Sequence, residues 1–88
     1  MKTIVVGSLE SSDCLITLQP ADKTTIDIES VVYDAYGKRI RHVIERVLSA
    51  HQLTRVHVRC QDKGALDYAI EARLETAIKR HKEVNHGA

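Results

Sequence analysis

Aromatic side chains are scarce in this sequence. Its 88 residues hold three tyrosines, no Phe and no Trp. That excludes an aromatic stacking platform for single-stranded nucleic acid and an aromatic-lined carbohydrate cleft. An excess of charge of one sign is missing too, since 13 Lys and Arg against 12 Asp and Glu leave a formal net charge of +1. Such a balance gives no overall field to steer nucleic acid or membranes. Residues 1–10 lack the basic stretch and apolar core of a secretory leader, and no apolar run approaches membrane-spanning length. These absences point to a soluble, cytoplasmic protein. Cysteine is limited to Cys14 and Cys60, and a lone pair outside a secreted cysteine framework reads as two buried thiols rather than a disulfide. The histidines, His42, His51, His57, His81 and His86, fall at no metal-binding spacing.

What is present is ordinary globular material, 43% apolar and 28% charged, with no Pro/Gly/Ser-rich linker, repeat or low-complexity stretch. A chain of this length builds one core, so residues 1–88 are expected to form a single domain, with a frayed tail from about residue 83. Thr3 to Val6 is a β-branched run that stops at Gly7, the mark of a first strand. Cys14, Ile16 and Leu18 alternate onto one face of a second. After the turn signal Pro20-Ala21-Asp22-Lys23, residues Thr24 to Glu29 alternate again, which predicts a hairpin of strands two and three within a meander. From Lys38 to His51 the period changes, with Ile40, Val43, Ile44, Val47 and Leu48 forming one helical stripe. Asp34 and Gly37 are both plausible caps for that helix. Thr54 to Gln61 returns to period two, and Leu66, Ala69, Ile70, Leu74, Ala77 and Ile78 give a second helical stripe running to about Lys82. The expected fold is α+β in the order βββαβα, a mostly antiparallel four-stranded sheet with two helices packed on one face. This order excludes an all-helical bundle.

Three segments carry candidate chemistry. Gly7-Ser8-Leu9-Glu10-Ser11-Ser12-Asp13 places three hydroxyls within five residues, beside two carboxylates, in a loop expected to face solvent. It reads either as a plain hairpin connection or as a segment that another enzyme reaches and modifies. No base at a determinable distance activates a serine as a nucleophile, so modification suits it better than catalysis. Asp62-Lys63-Gly64-Ala65-Leu66-Asp67 reads as a strand-to-helix turn, with Gly64 free to take positive φ and an Asp suited to the positive helix end. Arg55, His57 and Arg59 alternate on the polar side of a strand, as a solubility device or as an anion-binding stripe.

The first of these segments resembles the G-[ST]-L-E-S-G-D loop of the citrate lyase acyl carrier proteins, the gamma subunit. The second matches that family's D-K-G-A-L-D stretch in full, and Ala72-Arg73-Leu74-Glu75 matches the A-R-L-E that follows it. The resemblance spans roughly residues 3–80. It implies a non-catalytic carrier subunit of a multi-subunit lyase. The serine aligned with Ser11 would bear 2'-(5''-phosphoribosyl)-3'-dephospho-CoA through a phosphodiester, attached by a holo-carrier synthase. It further implies citrate lyase alpha and beta subunits as partners, with acetyl and citryl thioesters carried on the arm during cleavage of citrate to acetate and oxaloacetate. The family's glycine after the modified serine is Ser12 here, which makes Ser12 the second candidate for attachment. The carrier of malonate decarboxylase uses a similar arm on a V-G-S-G-D loop, and the Leu9-Glu10 pair and the Asp62–Asp67 stretch favour citrate lyase over it. A different class of reading, a small polyanion- or nucleic-acid-binding α+β module, rests on Arg55, His57 and Arg59 with Arg39, Arg41 and Arg46. The scarce aromatics and near-neutral charge weigh against it.

Overall fold

The computed structural model describes residues 2–85. Its elements run β1 (Ile4–Gly7), β2 (Cys14–Pro20), β3 (Thr25–Ser30), α1 (Tyr33–Ala50), β4 (Val56–Asp62) and α2 (Asp67–Val84). The alternation in β2 and β4 sends Cys14, Ile16, Leu18, Val56, Val58 and Cys60 to one side, where each is fully or almost fully buried. Both helices cover that side. The stripe Ile40, Val43, Ile44, Val47 and Leu48 of α1 and Ile70, Leu74, Ala77 and Ile78 of α2 complete one core. Burial of each large aliphatic side chain stabilises the fold by about 1.5–3 kcal/mol before the entropy of ordering it is subtracted. The α+β class, the element order and the single covered face all match the expectation from sequence.

The strand pairing does not. The sheet order is β1-β2-β4-β3, with β1·β2 and β2·β4 antiparallel and β3·β4 parallel. Strands two and three therefore form no hairpin, and the meander is replaced by a β3-α1-β4 crossover that inserts β4 between them. Period-two alternation states which face a residue takes but not which strand lies beside it. Burial explains the arrangement. The two seven-residue strands whose inward sites are fully buried, β2 and β4, occupy the centre, and the four-residue β1 and half-buried β3 take the edges.

Other boundaries shift for local reasons. Helix α1 begins at Tyr33, five residues before Lys38, where the helical period was expected to start, because its first turn is exposed and carries no stripe residue. Neither Asp34 nor Gly37 caps it. Val32 is the N-cap residue, and Gly37 is buried under the Tyr33 ring, where a Cβ would collide with it. Leu66, expected in the second stripe, precedes α2 and is 64% exposed. Arg55 lies outside β4 with φ of 60°. The tail expected to fray divides: Glu83 and Val84 belong to α2, the N–H of Asn85 closes the helix onto the carbonyl of His81, and residues 86–88, His86 included, lie outside the described residues.

Cys14 and Cys60 are free and buried. The Cys60 thiol is pushed up by its hydrogen bond with Cys14 and then by burial. Both thiols are shut away from solvent in the core, so neither is expected to react with an aromatic disulfide reagent at neutral pH until denaturant unfolds the chain. Stoichiometric labelling of the native protein would contradict this packing.

Candidate modification site

At one pole of the molecule the chain passes through three loops, β1–β2, β3–α1 and β4–α2, and polar bonds tie them into one unit. Beyond the last paired residues of β2 and β4, the Ser12 N–H donates to the Lys63 carbonyl at 2.8 Å and the Lys63 N–H to the Asp13 carbonyl at 2.9 Å. The first two sequence motifs, distant along the chain, are thus backbone-paired. The turn itself closes through the Asp13 N–H donating to the Glu10 carbonyl at 3.1 Å. Ser11 and Ser12 are its central residues, and Ser12 has φ of 67°. A turn with positive φ at its third position favours glycine, so the place where the resembling family has glycine is one where this backbone asks for it. Gly7, at the loop's entrance, has φ of 105°, and a Cβ there would run into the Cys14 carbonyl.

The Asp13 carboxylate organises this loop. It accepts from the Ser8 hydroxyl at 2.6 Å and the Cys14 N–H at 2.7 Å, and from Arg73 Nε and Nη2 at 3.2 and 3.1 Å. The Ser8 hydroxyl, the Cys14 amide and the Arg73 guanidinium, in that order, hold its pKa down from the ordinary 3.8 to about 2. Arg73 comes from the second turn of α2, so the loop is anchored to the helix by a two-pronged ion pair. Asp62 does comparable work next door. It is 2% exposed, accepts from the Ser30 hydroxyl at 2.7 Å and the Ala65 N–H at 2.9 Å, and so folds the β4–α2 loop. It does not cap the helix, and Asp67 instead pairs with Arg39 at 2.7 Å. Gly64 takes φ of 96°, as the turn reading anticipated.

Against this fixed frame, Ser11 is exposed, and among the described residues its hydroxyl has no hydrogen-bond partner. Ser12 is also exposed, but its amide is bound to the Lys63 strand extension and its backbone is left-handed. Ser8, the third hydroxyl, is spent on Asp13. Among the described residues the hydroxyls of Ser11 and Ser12 are thus both exposed and unbonded, with only Ser12 on left-handed backbone, and the Asp13 carboxylate beside them is already saturated with donors. The pole thus fits a covalently held group through an exposed serine.

The basic stripe expected on β4 is not assembled. His57 shares a 2.7 Å hydrogen bond with Thr25, Arg59 contacts Glu29 at 3.4 Å, and Arg55 is off the strand. Arg55 also lies beyond the opposite end of β4 from Lys63, about 20 Å or more from the Ser12 pairing at about 3.3 Å per strand residue. Among the described residues, no three His, Cys, Asp or Glu side chains gather as metal ligands, and no helix is long and apolar enough to cross a membrane. Two participants escaped sequence reasoning. Arg73 was visible within the A-R-L-E match without a role, and Ser30 carried no signal because its partner Asp62 is 32 residues away.

Comparison with known proteins agrees with this geometry. A family model for acyl carrier proteins, described as malonate decarboxylase delta subunit, matches residues 1–81. The chain is 52% identical over 81 residues to the citrate lyase acyl carrier protein of Streptococcus uberis, covering 91% of this chain and 80% of that one. It is 44% identical over 85 residues to that of Streptococcus mutans (94% and 83% covered) and 38% identical over 79 residues to that of Treponema denticola (90% and 91%). One chain of the Pseudomonas malonate decarboxylase hetero-tetramer, solved in complex with malonate, shares the fold at a TM-score of 0.76 and 22% identity, with 89% of this chain and 81% of that chain covered. A small α+β acyl carrier is the class that fold and loop define. The chain belongs to the family of citrate lyase acyl carrier proteins.

Two outcomes test the loop. Replacing Ser12 by glycine should leave the melting temperature unchanged or raise it, and Ser12→Val should lower it by roughly 4–8 °C, as expected for a strain of about 1 kcal/mol in a domain this small. Thermal melts check both, and a tolerated valine would contradict the left-handed turn. Because the folded pKa of Asp13 lies below its ordinary value, its contribution to stability is fully present above pH 3.8 and is lost as pH falls through about 2. NMR titration of the Asp13 carboxyl should give a midpoint near 2, and a midpoint at 3.8 would dissolve the Asp13 staple.

Proposed function

We propose that the chain is the acyl carrier subunit of citrate lyase and that Ser11 is the attachment point of its prosthetic group, phosphoribosyl-dephospho-CoA. The observation that carries this reading is the free, exposed Ser11 hydroxyl in a turn whose backbone is bonded down on both sides of it, the other free hydroxyl, that of Ser12, sitting on left-handed backbone. The serine would hold the group through a phosphodiester formed by a separate loading enzyme. When attached, the group supplies a thiol that carries acyl units as thioesters. The protein itself breaks no substrate bond. Its part is to hold the arm at a fixed point, so that the thioester meets successive active sites of the lyase alpha and beta subunits at high effective concentration. Asp13 and Arg73 keep the turn in shape, and the left-handed Ser12 points the chain away from Ser11 so that its hydroxyl stays uncovered.

A malonate decarboxylase-type carrier is the second reading, favoured by the shared fold and by the family description. The high identity to citrate lyase carriers and the paired L-E-S and D-K-G-A-L-D segments support the first. Coexpression with the loading enzymes of citrate lyase should add the mass of the group to the intact protein, and Ser11→Ala should abolish the addition. An unchanged wild-type mass, or an adduct that survives Ser11→Ala and disappears in Ser12→Ala, would overturn the assignment of Ser11.

A further inference from the structure

The chain's three aromatic residues are all outside the core. Tyr33 and Tyr36 are each 48% exposed and Tyr68 is 71% exposed. They sit in the first turns of α1 and α2, which start from the two loops that Asp62 ties together beside the Ser11 loop. Leu66, Val31 and Leu9, also more than half exposed, lie in the three loops of the same pole. Between them runs a groove of about 300 Å³, floored by Ile40 and Ala65 and walled by Val32, Tyr36 and Leu66, with the Arg39–Asp67 pair alongside. Elsewhere among the described residues the large exposed apolar side chains are isolated, Val5 on the sheet and Val84 at the end of α2. The uncovered face of the sheet carries Thr17, Gln19, Asp27, Glu29, His57 and Arg59 in cross-strand register, several already bonded to one another.

Tyrosine gives a large apolar body with a polar tip, and exposed clusters of it beside aliphatic residues mark surfaces that another protein covers. We propose that this Tyr33/Tyr36/Leu66/Tyr68 pole is the docking surface for a catalytic subunit of the lyase, and that the groove receives an apolar side chain of that subunit. The inference rests on the carrier reading. The occupant follows from continuity with the attachment loop: an enzyme that works on an arm rooted at Ser11 stands over this pole, and the groove begins where Gly64 and Asp62 leave the Lys63–Ser12 pairing. The charges lining the groove are mixed, Asp62 and the Arg39–Asp67 pair. Docking is therefore driven by apolar burial, with little dependence on salt.

The test is calorimetric titration of the full chain into citrate lyase alpha and beta subunits, with arm loading followed separately by intact mass. Leu66→Asp and Tyr68→Asp alter exposed side chains, and a thermal melt checks that each variant folds. Each should weaken binding to at least one subunit by about tenfold or more. Gln19→Asp, on the open sheet face, should bind within about twofold of the wild type. Raising salt from about 0.05 to 0.5 M should change the affinity by less than about threefold. Normal binding by both pole variants or a steep salt dependence would overturn the docking surface. So would a self-associating wild-type chain that Leu66→Asp makes monomeric, because a second copy would then be the occupant. A chain that loads normally but binds regardless of the pole defeats only this inference. Failure of Ser11 to load defeats the carrier reading.

Discussion

The carboxylate of Asp13 is the point on which the pole is built. A single side chain gathers a hydroxyl from the start of its own loop, the amide that begins β2, and a guanidinium from α2. Without those bonds the segment between Gly7 and Cys14 would be a polar connection able to take many shapes. With them the Glu10–Asp13 turn has one shape, and among the described residues the hydroxyls of Ser11 and Ser12 are left free of local bonds, that of Ser12 on a strained backbone. The ion pair is partly exposed, so its Coulombic contribution to global stability is small. Its value lies in geometry, because Arg73 approaches with two nitrogens and fixes both position and orientation.

The topology explains why the two motifs need each other. Inserting β4 beside β2 brings Lys63 against Ser12 and Asp13, so the start of the D-K-G-A-L-D segment extends the ladder of the β1–β2 loop. Had strands two and three paired as a hairpin, Lys63 would have had no reason to be there. The parallel β3·β4 pair then carries Ser30 to Asp62, which ties the start of α1 into the same corner. Three loops that are far apart in sequence thus share one rigid patch, and function is concentrated where an exposed loop meets a fixed scaffold.

Much of this was legible from residues alone, and the reasons for success and failure are physical. Alternation in β2 and β4 and the stripe of α1 revealed the faces because burial imposes a period on the sequence. The neighbour of each strand was not legible, since the same alternation serves a hairpin and a crossover equally. The first turn of α1 was missed because its exposed tyrosines break the stripe, and that exposure is what marks the pole as a surface. The β1–β2 loop stood out through Leu9-Glu10-Ser11, but the role of Asp13 did not. Its partner Arg73 lies 60 residues away, and no local pattern joins them. The substitution of glycine by Ser12 looked like a chemical ambiguity in sequence and is, in the fold, a conformational one.

The central claim is that the Asp13–Arg73 staple holds Ser11 in the form a loading enzyme accepts. The most direct test is the rate at which that enzyme modifies Ser11 in the wild-type chain and in Arg73→Ala, with both proteins confirmed folded by thermal melt. The account predicts that loading of Arg73→Ala slows by about tenfold or more while the fold persists, since misplacement of a reacting group by about an ångström is costly. An unchanged loading rate in a folded Arg73→Ala protein would contradict it.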